Sequence, residues 1–239
     1  MPRSYVAEAR RRVGGRRARI GPIIEALAVA HADASIALRF SNPLELLVAV
    51  MLSAQTTDVN VNRVTERLFR KYQEPSDYLA VPLEELERDV YQTGFYRQKA
   101  KALRGTMQML IDEYGGEVPR EFGALLRLPG VARKTANVVS AERGEAAGIV
   151  VDTHVRRLSQ RLGLTRQEDP VKIERDLVRL VPRSDWARFP HLLIWHGRRV
   201  CDARRPRCEE CVIASYCPSS RVVPAQPGVS AISMPPSSS

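Results

Sequence analysis

The sequence lacks any hydrophobic run long enough to span a membrane. Its best candidate, residues 44–52, is far shorter than the roughly 20 apolar residues that a bilayer requires, and it contains Glu45. The N-terminus is rich in arginine but has no apolar segment, so a secretory signal is not expected. A cytoplasmic protein without a membrane partner is therefore predicted, with an organellar transit peptide as the alternative.

Cysteine is absent from the first 200 residues, and all four cysteines fall within the next 17. This distribution excludes a disulfide framework spread over the chain and favours a metal site in a reducing compartment. The cysteines are Cys201, Cys208, Cys211 and Cys217, with the spacing C-x6-C-x2-C-x5-C. Four thiolates so close together suit either a tetrahedral zinc ion or a [4Fe–4S] cluster, and the spacing alone leaves both open.

Paired segments of alternating β-branched residues are also missing, whereas apolar residues recur at helical spacing along most of the chain. The sequence therefore predicts an all-α protein. Asn42 or Ser41 caps the first strongly periodic segment, and Thr57 and Asp58 cap the second. Helices are predicted over residues 43–52, 57–72, 83–92, 97–114, 121–126, 131–142, 153–162, 171–181 and 189–200.

The net charge of +10 indicates a polyanionic partner. Most of it lies at the N-terminus, where residues 1–20 contain seven arginines and one acid. Residues 1–19 are predicted to form a basic, disordered arm, either simply solvated or tethering the protein to nucleic acid. Residues 218–239, rich in proline and serine, are predicted to form a disordered tail.

The stretch Leu128-Pro129-Gly130 predicts a tight turn between two helices. Such a turn leaves backbone N–H groups unpaired at the start of the second helix, which makes a natural phosphate site. Arg133 and Lys134 add positive charge beside it. On its own, this pattern predicts a helix-hairpin-helix that grips a DNA backbone without reading sequence, with Lys134 as a solvated or phosphate-facing cation.

Asp152 follows the apolar residues 148–151 and precedes the predicted helix 153–162. Its simplest role is an N-cap that accepts a hydrogen bond from the N–H of His154 or Val155. A second role in catalysis is compatible with capping, because a carboxylate has two oxygen atoms.

The stretch LPGVARKTANVVSAERGEAAGIVVDTH (128–154) resembles the helix-hairpin-helix and downstream aspartate of the endonuclease III family of DNA glycosylases. Four further stretches resemble the same family: LLVAVMLSAQTTD (46–58), TGFYRQKA (93–100), WHGRRVC (195–201) and the cysteine cluster. The resemblance runs in order from about Ile20 to Cys217. It implies a bacterial-type, nucleoid-associated monomer that acts on double-stranded DNA containing a damaged base or an abasic site.

The resemblance assigns catalysis to Lys134 and Asp152. The lysine would attack the sugar C1′ atom, and the aspartate would assist it as the base leaves. An attacking amine must be neutral, and burial in a pocket that receives an extruded nucleotide favours the neutral form. The resulting Schiff base permits β-elimination, so the expected enzyme is a bifunctional DNA glycosylase and AP lyase acting on oxidised pyrimidines of the thymine glycol type.

By the same resemblance, Gln55 and Phe95 lie on loops that enter the DNA. An amide can pair with the orphaned base, and an aromatic wedge can hold the base step open. The family more often has leucine where this chain has Phe95. The alternative for Phe95 is packing against Tyr96 and Leu103 inside the protein.

The hairpin residues Gly130, Ala132 and Arg133 are expected to contact DNA. The family usually has a second glycine where this chain has Ala132. A methyl group there is expected to restrict the turn or to hold a phosphate further away, and so to weaken DNA binding or alter the substrate range.

The family implies two lobes and a [4Fe–4S] cluster held by the four cysteines. One lobe comprises residues 41–149 with the hairpin, and the other comprises residues 20–40 and 150–217 with the cluster loop. The catalytic pair would face the groove between them. Two rival functions are an adenine-mismatch glycosylase, which would lack Lys134, and a non-catalytic DNA-binding module, which would require neither Lys134 nor Asp152.

Overall fold

A computed structural model describes residues 13–222, and the regular secondary structure of this segment consists of helices, without a β-strand. Eleven α-helices lie wholly within it: α1 (Arg16–Ala30), α2 (Pro43–Leu52), α3 (Asp58–Lys71), α4 (Pro75–Ala80), α5 (Leu83–Val90), α6 (Tyr96–Tyr114), α7 (Phe122–Arg127), α8 (Arg133–Glu142), α9 (Thr153–Arg161), α10 (Pro170–Val178) and α11 (Arg188–Arg199). Short 3-10 helices occur at Tyr91–Thr93, Arg183–Asp185, Cys208–Glu210 and Ala214–Tyr216. The predicted all-α class is confirmed. None of the helices described is long and apolar enough to cross a bilayer.

Helix starts follow the capping residues. The Asn42 side chain accepts a hydrogen bond from the Glu45 N–H at the start of α2, and the Thr57 side chain accepts one from the Asn60 N–H at the start of α3. Periodicity did not predict α4, because a helix of six residues is too short to show a repeat. It is stabilised instead by a capping box between Glu74 and Asp77.

Buried apolar side chains form two clusters. The first contains residues between Leu38 and Val139 and surrounds α2, whose residues Leu46–Leu52 are all buried. The second combines α1 with α9, α10 and α11, and it includes Ile149 and Ile213. Leu38 therefore packs in the first cluster and Ile149 in the second, whereas the predicted lobe boundaries at residues 40 and 150 placed each of them in the other lobe.

The prediction of an arm through residue 19 is wrong for its last four residues, because α1 begins at Arg16. Arg19 is buried, and its guanidinium donates a hydrogen bond of 2.9 Å to the Leu162 carbonyl beyond the end of α9. The guanidinium also donates to the Tyr216 carbonyl. These two contacts fix Arg19 inside the fold, although its composition-based assignment was to the arm. The predictions for residues 1–12, and for the tail from residue 223 onward, lie outside the described residues.

Candidate active site and cysteine loop

The hairpin turn joins α7 to α8 through residues 128–132. The Val131 N–H donates to the Leu128 carbonyl at 3.0 Å, and the Thr106 hydroxyl of α6 donates to the Pro129 carbonyl at 2.7 Å. Gly130 has φ +76°, a left-handed conformation that favours glycine. A Cβ atom there would lie 2.7 Å from the Ala102 Cβ atom, so the turn packs directly against α6.

Ala132 is the N-cap residue of α8 and has φ −83° and ψ 168°, an extended conformation that any residue adopts. The expectation that its methyl group restricts the turn is therefore not supported, since only Gly130 in this turn needs a positive φ. Ala132 provides no side-chain hydrogen bond to α8. The N–H groups of the first helical turn are consequently available to an anion, at the positive end of the helix dipole.

We expect the substitution Gly130→Ala to destabilise the fold by about 3 kcal/mol, from left-handed strain together with the contact with Ala102. Gly144 is a matched control, because it has φ +79° and no atom within 4 Å of an added Cβ. Gly144→Ala should cost only about 1 kcal/mol. Thermal unfolding measures both, at roughly 2–4 °C per kcal/mol for a protein of this size. Equal shifts would contradict the packing of this turn against α6.

Lys134 and Asp152 line the same cavity, which has a volume of about 180 Å³. Lys134 lies in the first turn of α8, and Asp152 precedes α9. The other walls come from α2, α11 and the segment before α2. The structure thus brings together the two residues to which the family resemblance assigned catalysis, although 17 residues separate them in the chain.

The Lys134 side chain is exposed at this cavity rather than buried. Within residues 13–222, no hydrogen bond or ion pair holds its amine, so the amine is free to approach a group placed in the cavity. The expected burial is absent in the protein without DNA. A nucleotide that enters the cavity would have to exclude the water around this amine.

Asp152 has the capping role that the sequence predicted. Its Oδ1 atom accepts a hydrogen bond of 2.8 Å from the Val155 N–H. This bond fixes the carboxylate at the cavity wall, where a second oxygen atom stays available for proton transfer. Capping and a catalytic role are therefore compatible.

Two polar pairs in the cavity wall were missed by the sequence analysis. The His191 Nε2 atom lies 2.8 Å from the Glu142 Oε1 atom, and the Arg198 guanidinium donates to the Asp58 carboxylate at 2.7 Å. All four residues line the cavity that contains Lys134. No local signal identified them, because the two members of the first pair lie 49 positions apart in the chain and those of the second pair lie 140 positions apart.

Gln55 and Phe95 line a second cavity of about 340 Å³, which also reaches Gly130. They are the two non-glycine residues with positive φ among those described, at 57° for Gln55 and 49° for Phe95. Such a conformation costs of order 1–3 kcal/mol and often marks functional loops. Phe95 is 55% exposed, which excludes the alternative in which it packs inside the protein.

Arg133 has a protein partner rather than a free guanidinium. It donates to both carboxylate oxygens of Glu174 on α10, at 2.7 and 3.0 Å. Glu174 is buried and also accepts a hydrogen bond from the Asn137 side chain. The hydrogen bond to Glu174 raises the pKa of Arg133. The contact ties the start of α8 to α10, so the predicted DNA contact of Arg133 would compete with this ion pair.

The four cysteines, Cys201, Cys208, Cys211 and Cys217, line one pocket of about 170 Å³. Burial raises the pKa of Cys211 to about 11 and that of Cys217 to about 12, so these thiols need a positively charged group to become thiolates. Within residues 13–222, no three Cys, His, Asp or Glu side chains are arranged to hold a single metal ion. Four thiols around one pocket are the donor set that a [4Fe–4S] cluster requires.

Comparisons with known proteins identify the family of this chain. Residues 48–183 match the HhH-GPD superfamily of base excision DNA repair proteins, and residues 201–217 match the iron–sulfur binding domain of endonuclease III. The chain is 47% identical over 212 residues to endonuclease III of Synechocystis, covering 88% of this chain and 97% of the relative. It is 53% identical over 188 residues to the Bacillus subtilis protein, covering 78% and 85%.

Solved structures are also similar. A non-covalent endonuclease III–DNA complex superimposes with a TM-score of 0.80 at 45% identity, covering 85% of this chain and 96% of that one. A trapped endonuclease III–DNA covalent intermediate has the same score, identity and coverage. A thermostable thymine-DNA glycosylase, with a TM-score of 0.75 at 24% identity over 86% and 96% of the two chains, shares the fold. The chain therefore belongs to the endonuclease III family of base excision DNA repair proteins.

Proposed function

We propose that this protein is a bifunctional DNA glycosylase and AP lyase that removes oxidised pyrimidines of the thymine glycol type, acting as a monomer on double-stranded DNA. The observation that carries the proposal is the shared cavity of Lys134 and Asp152 beside the hairpin turn. The lysine supplies the lyase chemistry, and this distinguishes the proposed enzyme from a glycosylase that uses an aspartate alone. The similarity to a DNA complex and to a covalent intermediate supports the same reading.

In the proposed reaction the neutral Lys134 amine attacks C1′ of a nucleotide extruded into the cavity. A C1′–N bond forms, the glycosidic bond breaks, and its electron pair leaves with the base, which takes up a proton. The Asp152 carboxylate accepts the proton lost from the amine and stabilises positive charge on the sugar. The C1′–O4′ bond then breaks, O4′ takes up a proton, and the opened sugar is joined to the lysine as a Schiff base. Loss of a C2′ proton from the Schiff base expels the 3′ phosphate by β-elimination, and water releases the lysine.

In this proposal the hairpin and the two strained loops, which contain Gln55 and Phe95, bind the DNA. The N–H groups at the start of α8 bind a backbone phosphate, and Gly130 allows the turn to lie close to it. Gln55 and Phe95 are exposed on one side of the turn, where they fill the gap that the extruded nucleotide leaves. Ala132 and Arg133 border the phosphate site.

We propose that the four cysteines hold a [4Fe–4S] cluster with a structural role. Five arginines lie between residues 198 and 207, at the end of α11 and in the cluster loop. Three of them pair with carboxylates, which leaves Arg204 and Arg205 of the loop as the basic surface for phosphates. The loop is linked to the catalytic helix α9, because the Arg161 guanidinium donates to the Asp202 and Ala203 carbonyls and approaches the Cys201 Sγ atom at 3.2 Å.

The cluster assignment predicts that Cys211→Ser lowers the iron content well below the roughly four atoms per chain of the native protein. Ser215→Ala lies in the same loop and should leave the iron content unchanged, so it serves as the control. Iron analysis and the visible absorption of the purified proteins measure the effect. A native protein that is colourless and contains zinc would contradict the assignment.

A panel of duplexes tests the proposed function. We expect cleavage of DNA that contains thymine glycol or an abasic site, and no base removal from an A·G mismatch or from undamaged DNA. Removal of adenine from the mismatch without strand cleavage would support the adenine-mismatch glycosylase. Binding to every duplex without any chemistry would support the non-catalytic module.

A further inference from the structure

Lys99 is a buried lysine that the proposed mechanism does not use. It lies in the first turn of α6 and is 8% exposed. Within the part of the chain that the structure describes, no carboxylate forms an ion pair with it. Burial lowers the pKa of this lysine. A buried ammonium group is costly unless hydrogen bonds compensate, so its contacts are informative.

The Lys99 amine donates to two backbone carbonyls, that of Leu52 at 2.8 Å and that of Thr93 at 2.7 Å. Leu52 is the last residue of α2, and Thr93 is the last residue of the 3-10 helix before α6. Carbonyl groups at the end of a helix lack partners within the helix and lie at its negative end. One ammonium group therefore joins the ends of two helices.

Each of these helix ends leads directly into one of the strained loops. Gln55 follows Leu52 by three residues, and Phe95 follows Thr93 by two. Both have positive φ and are exposed, and both line a cavity that Lys99 also lines. Strained and exposed loops keep one conformation only when the structure below them is fixed. The Lys99 side chain joins the two helix ends from which these loops begin.

We propose that Lys99 is a positioning residue that fixes the distance between the Gln55 loop and the Phe95 loop, so that both enter the DNA together. The inference rests on the proposed function, because it assumes that these two residues occupy the gap in the base stack. It adds a residue that acts through the loops and touches neither the DNA nor the reacting atoms.

The experiment uses a duplex with a tetrahydrofuran abasic analogue opposite 2-aminopurine, whose fluorescence reports insertion into the stack. Lys99→Met keeps the length of the side chain and removes the donor. We expect about tenfold weaker binding of this duplex and loss of most of the fluorescence change, with less than a twofold effect on undamaged duplex. Lys101→Met, an exposed lysine on the same helix, controls for the loss of one charge and should change binding less than twofold.

A double-mutant cycle separates positioning from general stability. In a Gln55→Ala/Phe95→Ala background, Lys99→Met should weaken binding of the analogue by less than twofold, because the loops that it positions no longer insert. If Lys99→Met fails to fold, Lys99→Gln, which removes the positive charge, replaces it in the same cycle, with Lys99→Arg as the conservative variant. This variant keeps the donors and should retain more of the fluorescence change than Lys99→Gln.

Unchanged binding and fluorescence in Lys99→Met would overturn the proposal, as would a tenfold loss that persists in the double-alanine background. Equal signals from Lys99→Arg and Lys99→Gln would also overturn it.

The native protein tests the proposed function separately. If it binds the analogue no more tightly than undamaged duplex, the proposed function fails together with the role of Lys99, whereas tight binding with no effect of the variants removes only the role of Lys99.

Discussion

Replacing Lys134 with glutamine should abolish the covalent adduct with abasic DNA and lower strand cleavage by on the order of 10³-fold or more, because the amide cannot form a Schiff base. Lys134 is exposed and makes no ion pair among residues 13–222. The free energy of unfolding should therefore change by less than about 0.5 kcal/mol. Single-turnover cleavage of thymine glycol and abasic duplexes, together with thermal unfolding, measures both expectations.

The matched control for this substitution is Lys172→Gln. Lys172 is also exposed and lies in the first turn of a helix, α10, but it does not line the cavity that contains Lys134. Its replacement removes one positive charge and should leave cleavage nearly unchanged. Similar losses in both variants would show that Lys134 acts only as a cation for DNA binding.

The substitution Asp152→Asn should lower the rate of base removal by about 10²–10⁴-fold with little change in stability. Asparagine caps a helix as well as aspartate does, so the hydrogen bond from the Val155 N–H is kept while proton transfer is lost. Asp152→Ala should show a similar loss of rate and an additional destabilisation of about 1 kcal/mol, because the cap is lost as well.

Asp169 provides the control for the role of Asp152, because it caps α10 in the same way. Its Oδ1 atom accepts a hydrogen bond of 2.9 Å from the Lys172 N–H, and it does not line the cavity. Asp169→Asn should leave both activity and stability nearly unchanged. Near-native activity of Asp152→Asn would mean that Asp152 is a capping residue and no more.

The fold class was predictable because helical signals are local, whereas the catalytic roles of Lys134 and Asp152 were predicted from the resemblance to a family. Helical periodicity and capping residues such as Asn42 and Thr57 act within a few positions of the chain, and the structure confirms the helices that they predict. The cysteine spacing is equally local. The start of α8 was predicted two residues early, because Val131 is apolar and fits the helical repeat although it belongs to the turn.

The contacts that complete the site could not be predicted, because tertiary packing creates them. The pairs Glu142–His191 and Arg133–Glu174 join residues 49 and 41 positions apart. In the sequence, Lys99 is indistinguishable from an exposed lysine on a helix. The structure shows that it is buried and that its amine binds the ends of two helices. Such contacts depend on how the helices pack against one another, and local sequence patterns do not indicate this packing.

The central claim is that the Lys134 amine is the nucleophile, and locating the covalent adduct tests it most directly. The protein is incubated with abasic duplex and borohydride, which reduces a Schiff base to a stable amine, and the crosslinked peptide is then identified by mass spectrometry. We expect one adduct, on the Lys134 Nζ atom. An adduct on another amine, or the absence of any adduct from protein that cleaves the duplex, would contradict it.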